Sequence, residues 1–493
     1  MLNPGVLPSR FAAVLVIGSA LCASGCGVPL TPAYRIVKES KAVRFVLGER
    51  PELQIRARYM LENSGNSDLN FLDVNFPDEK LFGRKNLRVE FNGREAMPAD
   101  LPAEYRQESP NTFRIPFDSP WMRKQARELL IEYSFSSPED SGERITLSED
   151  SFHLGSRGWF PLPQPPKHLF APYPSRPDRT IYTIQVPTNF LLLARGTLAG
   201  RRQGGNEIEY RFQLRKEDLP PFIVAGRYIE SSPNHKSGAA IFWTLRPLTQ
   251  DTSAAVEQIT AAWNVLETDF GPLDKNIVAS HVVESPGLRG HIPDDTGPAA
   301  ASFPGGALVN AAALALGLDN DGFLERVNHA LAHDWFGDEI FLAPDAALGM
   351  GEGLPEYATI VVEQARKGDD GRHRRVAQYL RAYDDARKRA IERPLAITMM
   401  SDSFEQRRIG LVKAPLFYVA LEDACGPAQM HTGLRQLVTT LRGQQASYDS
   451  LRSALEESSG KNLAGLFRVW LNDRDVPQDF RNRYESQPET AEK

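Results

Sequence analysis

Two histidines and a glutamate in this chain stand at a spacing that suits a metal ion. His329 and His333 are four apart in a helix-like run, VNHALAHDWFGDEIF, so both imidazoles project from one face about a turn apart. Eighteen residues then intervene before Glu352, which opens a second helix-like segment. Two imidazoles and one carboxylate form a donor set that suits Zn²⁺ and leaves a fourth position for water. An H-x-x-x-H pair alone equally describes two ordinary histidines on one helix. A hydrolase built on such a metal requires a carboxylate beside the metal water, which H-E-x-x-H supplies directly after its first histidine. Here that position is Ala330.

Trp335, Phe336 and Gly337 follow the second histidine, and Gly353, Glu356 and Tyr357 follow the glutamate. With the eighteen-residue spacing, this pattern resembles the membrane alanyl aminopeptidase family of zinc metallopeptidases, thermolysin-like gluzincins. Their core reads H-E-x-x-H-x-W-F-G and then E-G-F-A-x-Y. The resemblance implies one zinc ion held by His329, His333 and Glu352. It also implies an α+β multi-domain fold, an N-terminal antiparallel β-sandwich followed by a thermolysin-like, mainly helical domain of catalytic type. A peptide or protein ligand would occupy the cleft.

Against that family pattern the chain departs at four places. Ala330 replaces the general base. The segment from Thr296 to Asn310, where the family holds the substrate amino group with a Glu in a G-A-M-E-N-like motif, contains no Glu. The family's transition-state tyrosine precedes a K-G pair, and the best match, Leu411-Val412-Lys413-Ala414, puts Leu411 there. Thr359 stands where many relatives carry another acidic residue. A general base is worth about 10² to 10⁴ in rate, roughly 3 to 5 kcal/mol of barrier. Each lost transition-state donor costs about a further 10² to 10³. Asp334, four after Ala330, lies one helical turn of about 5.4 Å from that position and reads as a solvated or capping residue. Glu356, four after Glu352, reads either as a group orienting a metal ligand or as a surface carboxylate. Two readings follow. In one, a catalytically impaired or inactive relative binds zinc and a peptide or partner in the cleft. In the other, an active metallopeptidase uses a non-standard base. There is no G-x-S-x-G elbow for a serine hydrolase in the mature chain.

The rest of the chain must position these residues. At 493 residues it exceeds one ordinary core. Its net charge of −6 argues against nucleic acid as a partner. Arg10 precedes an apolar run, Phe11 to Leu21, too short to span a bilayer, so residues 1–25 read as a signal peptide. Ala23-Ser24-Gly25 before Cys26 resembles a bacterial lipoprotein box, the alternative being an ordinary exported protein cut nearby. Lipidation at Cys26 would anchor the protein in a membrane. Gly27 in place of Asp points to the outer membrane, with the protein facing the periplasm. Cys425 is then the remaining cysteine, so no internal disulfide forms.

Residues 26–232 alternate with period two at Leu53 to Leu61, Leu87 to Phe91, Leu129 to Phe135 and Ile208 to Leu214, as half-buried strands do. The Pro-rich run Trp159 to Pro174 reads as a long ordered loop. Ser231 to Gly238 marks the boundary to a metallopeptidase-type domain, residues 233–480. That domain begins with a helix capped by Asp251 or Thr252 and stopped at Phe270-Gly271-Pro272, then a strand at Ile277 to Val283. His281 and His291 read as ordinary histidines. Beyond Glu352 the chain is mainly helical, with Arg366 to Arg375 a solvated loop and helix start. A buried stretch, Leu411 to Cys425, contains Pro415, and closing helices fall at Ser450 to Glu457 and Leu463 to Leu471. Pro477 ends the fold, and 481–493 reads as a disordered tail.

Overall fold

The alternating runs of the N-terminal part form a twisted eight-stranded sheet. The computed structural model describes residues 34–485, apart from 49, 77–86, 102–110, 137–144, 156–158, 165–176, 217, 232–239, 274–279, 290–296, 344 and 401. The signal peptide, Cys26 and His291 therefore lie outside the described residues. At the centre of the sheet, Arg35–Val46 pairs with Glu52–Glu62, which pairs with Ala126–Ser136. Each pairing is antiparallel, and one parallel pair, Arg35–Val46 with Arg179–Pro187, interrupts the pattern. Two four-stranded sheets complete the β domain. Leu53, Ile55, Ala57, Tyr59 and Leu61 all point into a core shared with Val74, Ile115 and Trp121 of one smaller sheet and Phe152 and Leu154 of the other. Each such aliphatic side chain contributes about 1.5–3 kcal/mol on burial. Asn92 and Gly93 take positive φ of 53° and 76° in the tight turn that joins two of the strands.

The second domain is built on a five-stranded sheet ordered Ile229–Ser231, Ile241–Thr244, His281–Glu284, Gly306–Val309, Ala300–Phe303. Its first strand begins before the boundary expected at Ser231, which falls otherwise among residues outside the description. Period-two alternation gives this sheet two apolar faces. Phe242, Val282 and Ala307 meet the helices, while Trp243, Val283 and Leu308 meet Phe222 and Val224 of the β domain. The first helix, α1 (Ser253–Phe270), stops at Gly271, where φ is 93°. Then come α2 (Ala311–Leu314), α3 (Asp321–Ala332), α4 (Gly353–Arg387), α5 (Phe404–Cys425), α6 (Pro427–Thr440), α7 (Tyr448–Ser459), α8 (Ala464–Asn472) and α9 (Gln478–Glu485).

Three expectations are corrected. Arg366 to Arg375 is no loop: α4 runs through it and is broken only at Gly368, whose φ of 69° and ψ of −164° fold it back. Arg372 of the second limb meets Gln364 of the first at 3.4 Å and is buried against Glu422 of α5. Residues 481–485 of the expected tail belong to α9, which buries Phe480 and Tyr484, and 486–493 lie outside the described residues. Tyr484 binds Asp423 at 3.0 Å, and Arg481 pairs with Asp384 at 2.7 Å, so the charged composition of this segment concealed two apolar anchors. The Pro-rich run carries a short strand, Leu162–Gln164, paired with Leu69–Asn75, before it leaves the described residues. Pro415 lies inside α5.

Candidate metal centre

The metal helix α3 is capped at Asn320, whose side chain accepts from the Gly322 N–H at 2.8 Å. It ends as His333 is reached, and residues Asp334–Glu339 continue as a wider π-type turn. Trp335 pins that turn: its indole N–H donates to the Gly271 carbonyl at 2.7 Å, and its ring packs on Trp263 and Phe270. Trp335 is therefore structural, fixing the turn that follows the second imidazole. Glu352 stands at the N-terminus of α4. The next residue, Gly353, lets α4 approach α5, because a Cβ there would lie 2.5 Å from Ala414 Cβ.

These elements bring His329, His333 and Glu352 together. The Nε2 atoms of the two histidines lie 3.1 Å apart, and Glu352 Oε2 is 3.5 Å from one and 3.7 Å from the other. Metal–ligand bonds of about 2.0–2.2 Å at tetrahedral angles place ligand atoms about 3.3–3.5 Å apart, which this set matches. Two imidazole nitrogens aimed at each other repel unless a cation or proton lies between them. Burial opposes charge on His329, yet Glu356 and Glu352 raise its pKa to about 10. The surroundings thus favour positive charge where these donors converge. The donor set fits a zinc ion.

Glu356 is partly buried, its side chain 27% exposed. Its Oε1 lies 3.3 Å from His329 Nδ1, within ion-pair reach though outside hydrogen-bond angles. Burial would raise the Glu356 pKa, but His329 and the Tyr379 hydroxyl hold it down at about 2. Glu356 thus stands beside the His329 ring, on the side away from the converged donors. Thr359, by contrast, only donates its hydroxyl to the Glu356 carbonyl.

A cleft of about 280 Å³ opens over these ligands. Ala330 lines it beside both histidines, so a methyl group occupies the place expected for a base. Ala300, Ala301, Phe303, Phe336, Leu342 and Met400 form the apolar part of its wall, and His153, Ser302 and Asp338 stand with the ligands on the polar part. Among the cleft-lining residues the carboxylates are Glu352 and Asp338. Sequence reasoning passed over Asp338, which stands next to the W-F-G residues. It also passed over His153, a β-domain residue that lines the cleft from a distant part of the chain. Leu411 packs against the helical core and is not among the residues lining the cleft. Lys413, two residues on, is buried and paired with Glu392 at 2.7 Å.

Asp334 corrects its expected role. It is buried, and both its carboxylate oxygens accept from the Gly305 N–H at 3.1 Å. Burial raises its pKa, the nearby Asp338 adds to this, and the Gly305 N–H opposes it. The residue ties the metal turn to the sheet edge and is not solvated. His281 lies against the Trp243 ring at 5.2 Å, away from the ligands, as an ordinary histidine.

The sheet-plus-helix domain, the hairpin carrying Glu352 and the converged donors define the two-domain fold of an M1 zinc metallopeptidase. Residues 310–470 match the Peptidase family M1 domain. No curated protein sequence matches the chain. Among solved structures, the M1 zinc metallopeptidase of Deinococcus radiodurans is similar over 91% of this chain and 96% of its own, at 16% identity and a TM-score of 0.58. A glutamate-to-alanine mutant of that protein is similar over 90% of this chain and 96% of its own, at 17% identity and a TM-score of 0.59. The same mutant bound to a Tyr-Ser-Ala substrate gives 16% identity over 90% and 95%, with a TM-score of 0.59.

Proposed function

We propose that this protein is an exported, lipid-anchored zinc aminopeptidase-like protein whose cleft binds zinc and a peptide or partner but turns substrate over poorly. The observation that carries this reading is the Ala330 methyl group lining the cleft between two metal-ligating histidines. A bound zinc would polarise a carbonyl and activate water. His329, His333 and Glu352 would hold it, and Glu356 would fix the His329 ring. The chain supplies no proton acceptor at Ala330, and residues 297–310 along the cleft carry no carboxylate for an amino group. Binding and catalysis thus come apart, since a cleft with polar and apolar walls and a metal suffices for the first. The glutamate-to-alanine mutant of the Deinococcus protein, bound to Tyr-Ser-Ala, supports a peptide as the ligand class. Anchoring through Cys26 at the outer membrane, facing the periplasm, rests on the sequence around that residue.

The test pairs metal analysis with a peptide-library turnover assay on the protein lacking its signal and lipid. About one zinc per chain is expected, lost in His329→Ala, with turnover reduced by at least about 10² relative to an enzyme with its base. Brisk, chelator-sensitive turnover abolished by His333→Ala would overturn the reading. One observation favours an active enzyme instead: Asp338 places a second carboxylate in the cleft. In that case Asp338→Asn removes the turnover while zinc stays bound.

A further inference from the structure

We infer that Tyr379 and Arg375 are positioning residues of the metal centre, holding Glu356 against His329 from the far limb of the α4 hairpin. The inference rests on the zinc reading above.

Glu356 and Tyr379 are 23 residues apart on α4, yet the Tyr379 hydroxyl donates to Glu356 Oε2. A straight helix would separate them by more than 30 Å at about 1.5 Å per residue. The fold-back at Gly368 brings them together, and Arg372 contacting Gln364 at 3.4 Å confirms the antiparallel register. Arg375, one turn before Tyr379, donates to the same hydroxyl at 3.2 Å and stacks its guanidinium 4.9 Å from the Tyr379 ring. It also pairs with Glu325 of α3. Glu325 lies four residues before His329, on the same face of the metal helix.

The contacts therefore close a ring. It leaves the metal helix at Glu325, passes through Arg375, Tyr379 and Glu356, and returns to that helix at His329. Glu356 has its two oxygens divided between Tyr379 and the Nδ1 side of His329, so it cannot turn away without abandoning the tyrosine hydroxyl. An imidazole whose Nδ1 faces a fixed carboxylate carries its proton there and offers Nε2 as the lone pair. Partners of this kind set the orientation and basicity of a metal-bound histidine, and losing one weakens metal binding by about 10- to 100-fold. The mixed-charge run RKGDDGRHRR thus has a task at its end, because Arg375 reaches inward, as Arg372 does, while Arg374 between them faces solvent.

The experiment measures zinc dissociation constants by chelator competition for the wild type, Tyr379→Phe, Arg375→Gln and Tyr357→Phe. The visible absorption of the Co²⁺-loaded proteins serves as a spectroscopic check on ligand geometry. Tyr357 supplies a second buried hydroxyl on the same helix, but it meets His431 at 3.3 Å and not the ligand set. Weakening of about 10- to 100-fold is expected in Tyr379→Phe and Arg375→Gln, with altered Co²⁺ bands. Tyr357→Phe should match the wild type. Arg375 lies nearer the surface than Tyr379, so Arg375→Gln carries the test if Tyr379→Phe fails to fold. Tight zinc in the wild type with equal affinity in both variants overturns the positioning role and leaves the zinc reading standing. Equal weakening in Tyr357→Phe also overturns it, by reducing the effect to general loosening of the hairpin. A wild type that binds no zinc overturns both.

Discussion

At the scale of single residues, the proposal that this site holds more than it turns over rests on Ala330. The ligands lie close enough to share one cation, with Nε2 atoms 3.1 Å apart, and their geometry owes nothing to position 330. A base there, a tyrosine at the position of Leu411 and an amine anchor act on the same transition state, so their losses do not add simply. Ala330→Glu is therefore expected to restore little. Aminoacyl-substrate turnover should remain at least about 10² below that of a complete site, because the other groups are each worth roughly that much. Robust turnover in this single variant would show that the absent tyrosine and amine anchor matter far less than their chemistry suggests. The ligand triad was legible in the sequence because its spacing is local, and Ala330 was legible for the same reason. Asp334 was misread because nothing local signals that its carboxylate meets the backbone of Gly305, 29 residues earlier.

At the scale of elements, the strands were easiest to foresee. A sheet with one buried face writes alternation directly into the chain, as Leu53 to Leu61 does over five inward positions. Helix boundaries followed from Gly271 and from the break before Gly353. The hairpin in α4 was hidden, since Gly368 was absorbed into a charged run read as a solvated loop and helix start. What makes it a hairpin is tertiary, the return of Arg372 to Gln364 and of Tyr379 to Glu356. Gly368 carries a testable cost. Its φ and ψ fall in a region open almost only to glycine, and no atom lies within 4 Å of the place a Cβ would take. The penalty in Gly368→Ala is thus conformational and not steric, about 1–3 kcal/mol. Denaturant unfolding of the variant should lose that much. An unchanged midpoint would mean that the turn relaxes into another conformation at no cost.

At the scale of the whole molecule, the cleft belongs to both domains, and this was beyond the reach of sequence reading. His153 comes from the β domain, lines the cleft and lies against Phe303 of the second domain, with ring centroids 6.3 Å apart. It is 1% exposed, and neither ring nitrogen has a hydrogen-bond partner. Burial alone lowers its pKa to about 3. The imidazole is therefore neutral in the folded protein across the physiological range. Once unfolded it titrates near 6.5, so between about pH 6.5 and 3 the unfolded chain binds the extra proton. The contribution of His153 to stability is complete above pH 6.5 and drains away as the pH falls towards 3. At about 1.4 kcal/mol per unit, the wild type should lose up to about 2 kcal/mol between pH 6.5 and 5 from this residue. His153→Phe keeps an aromatic ring at the interface and removes the titrating group. Denaturation midpoints from pH 7.5 to 5 should accordingly fall less steeply in the variant than in the wild type. Parallel curves would mean that His153 finds a partner or solvent in solution, and that the two domains are less tightly closed over the cleft than their packed side chains require.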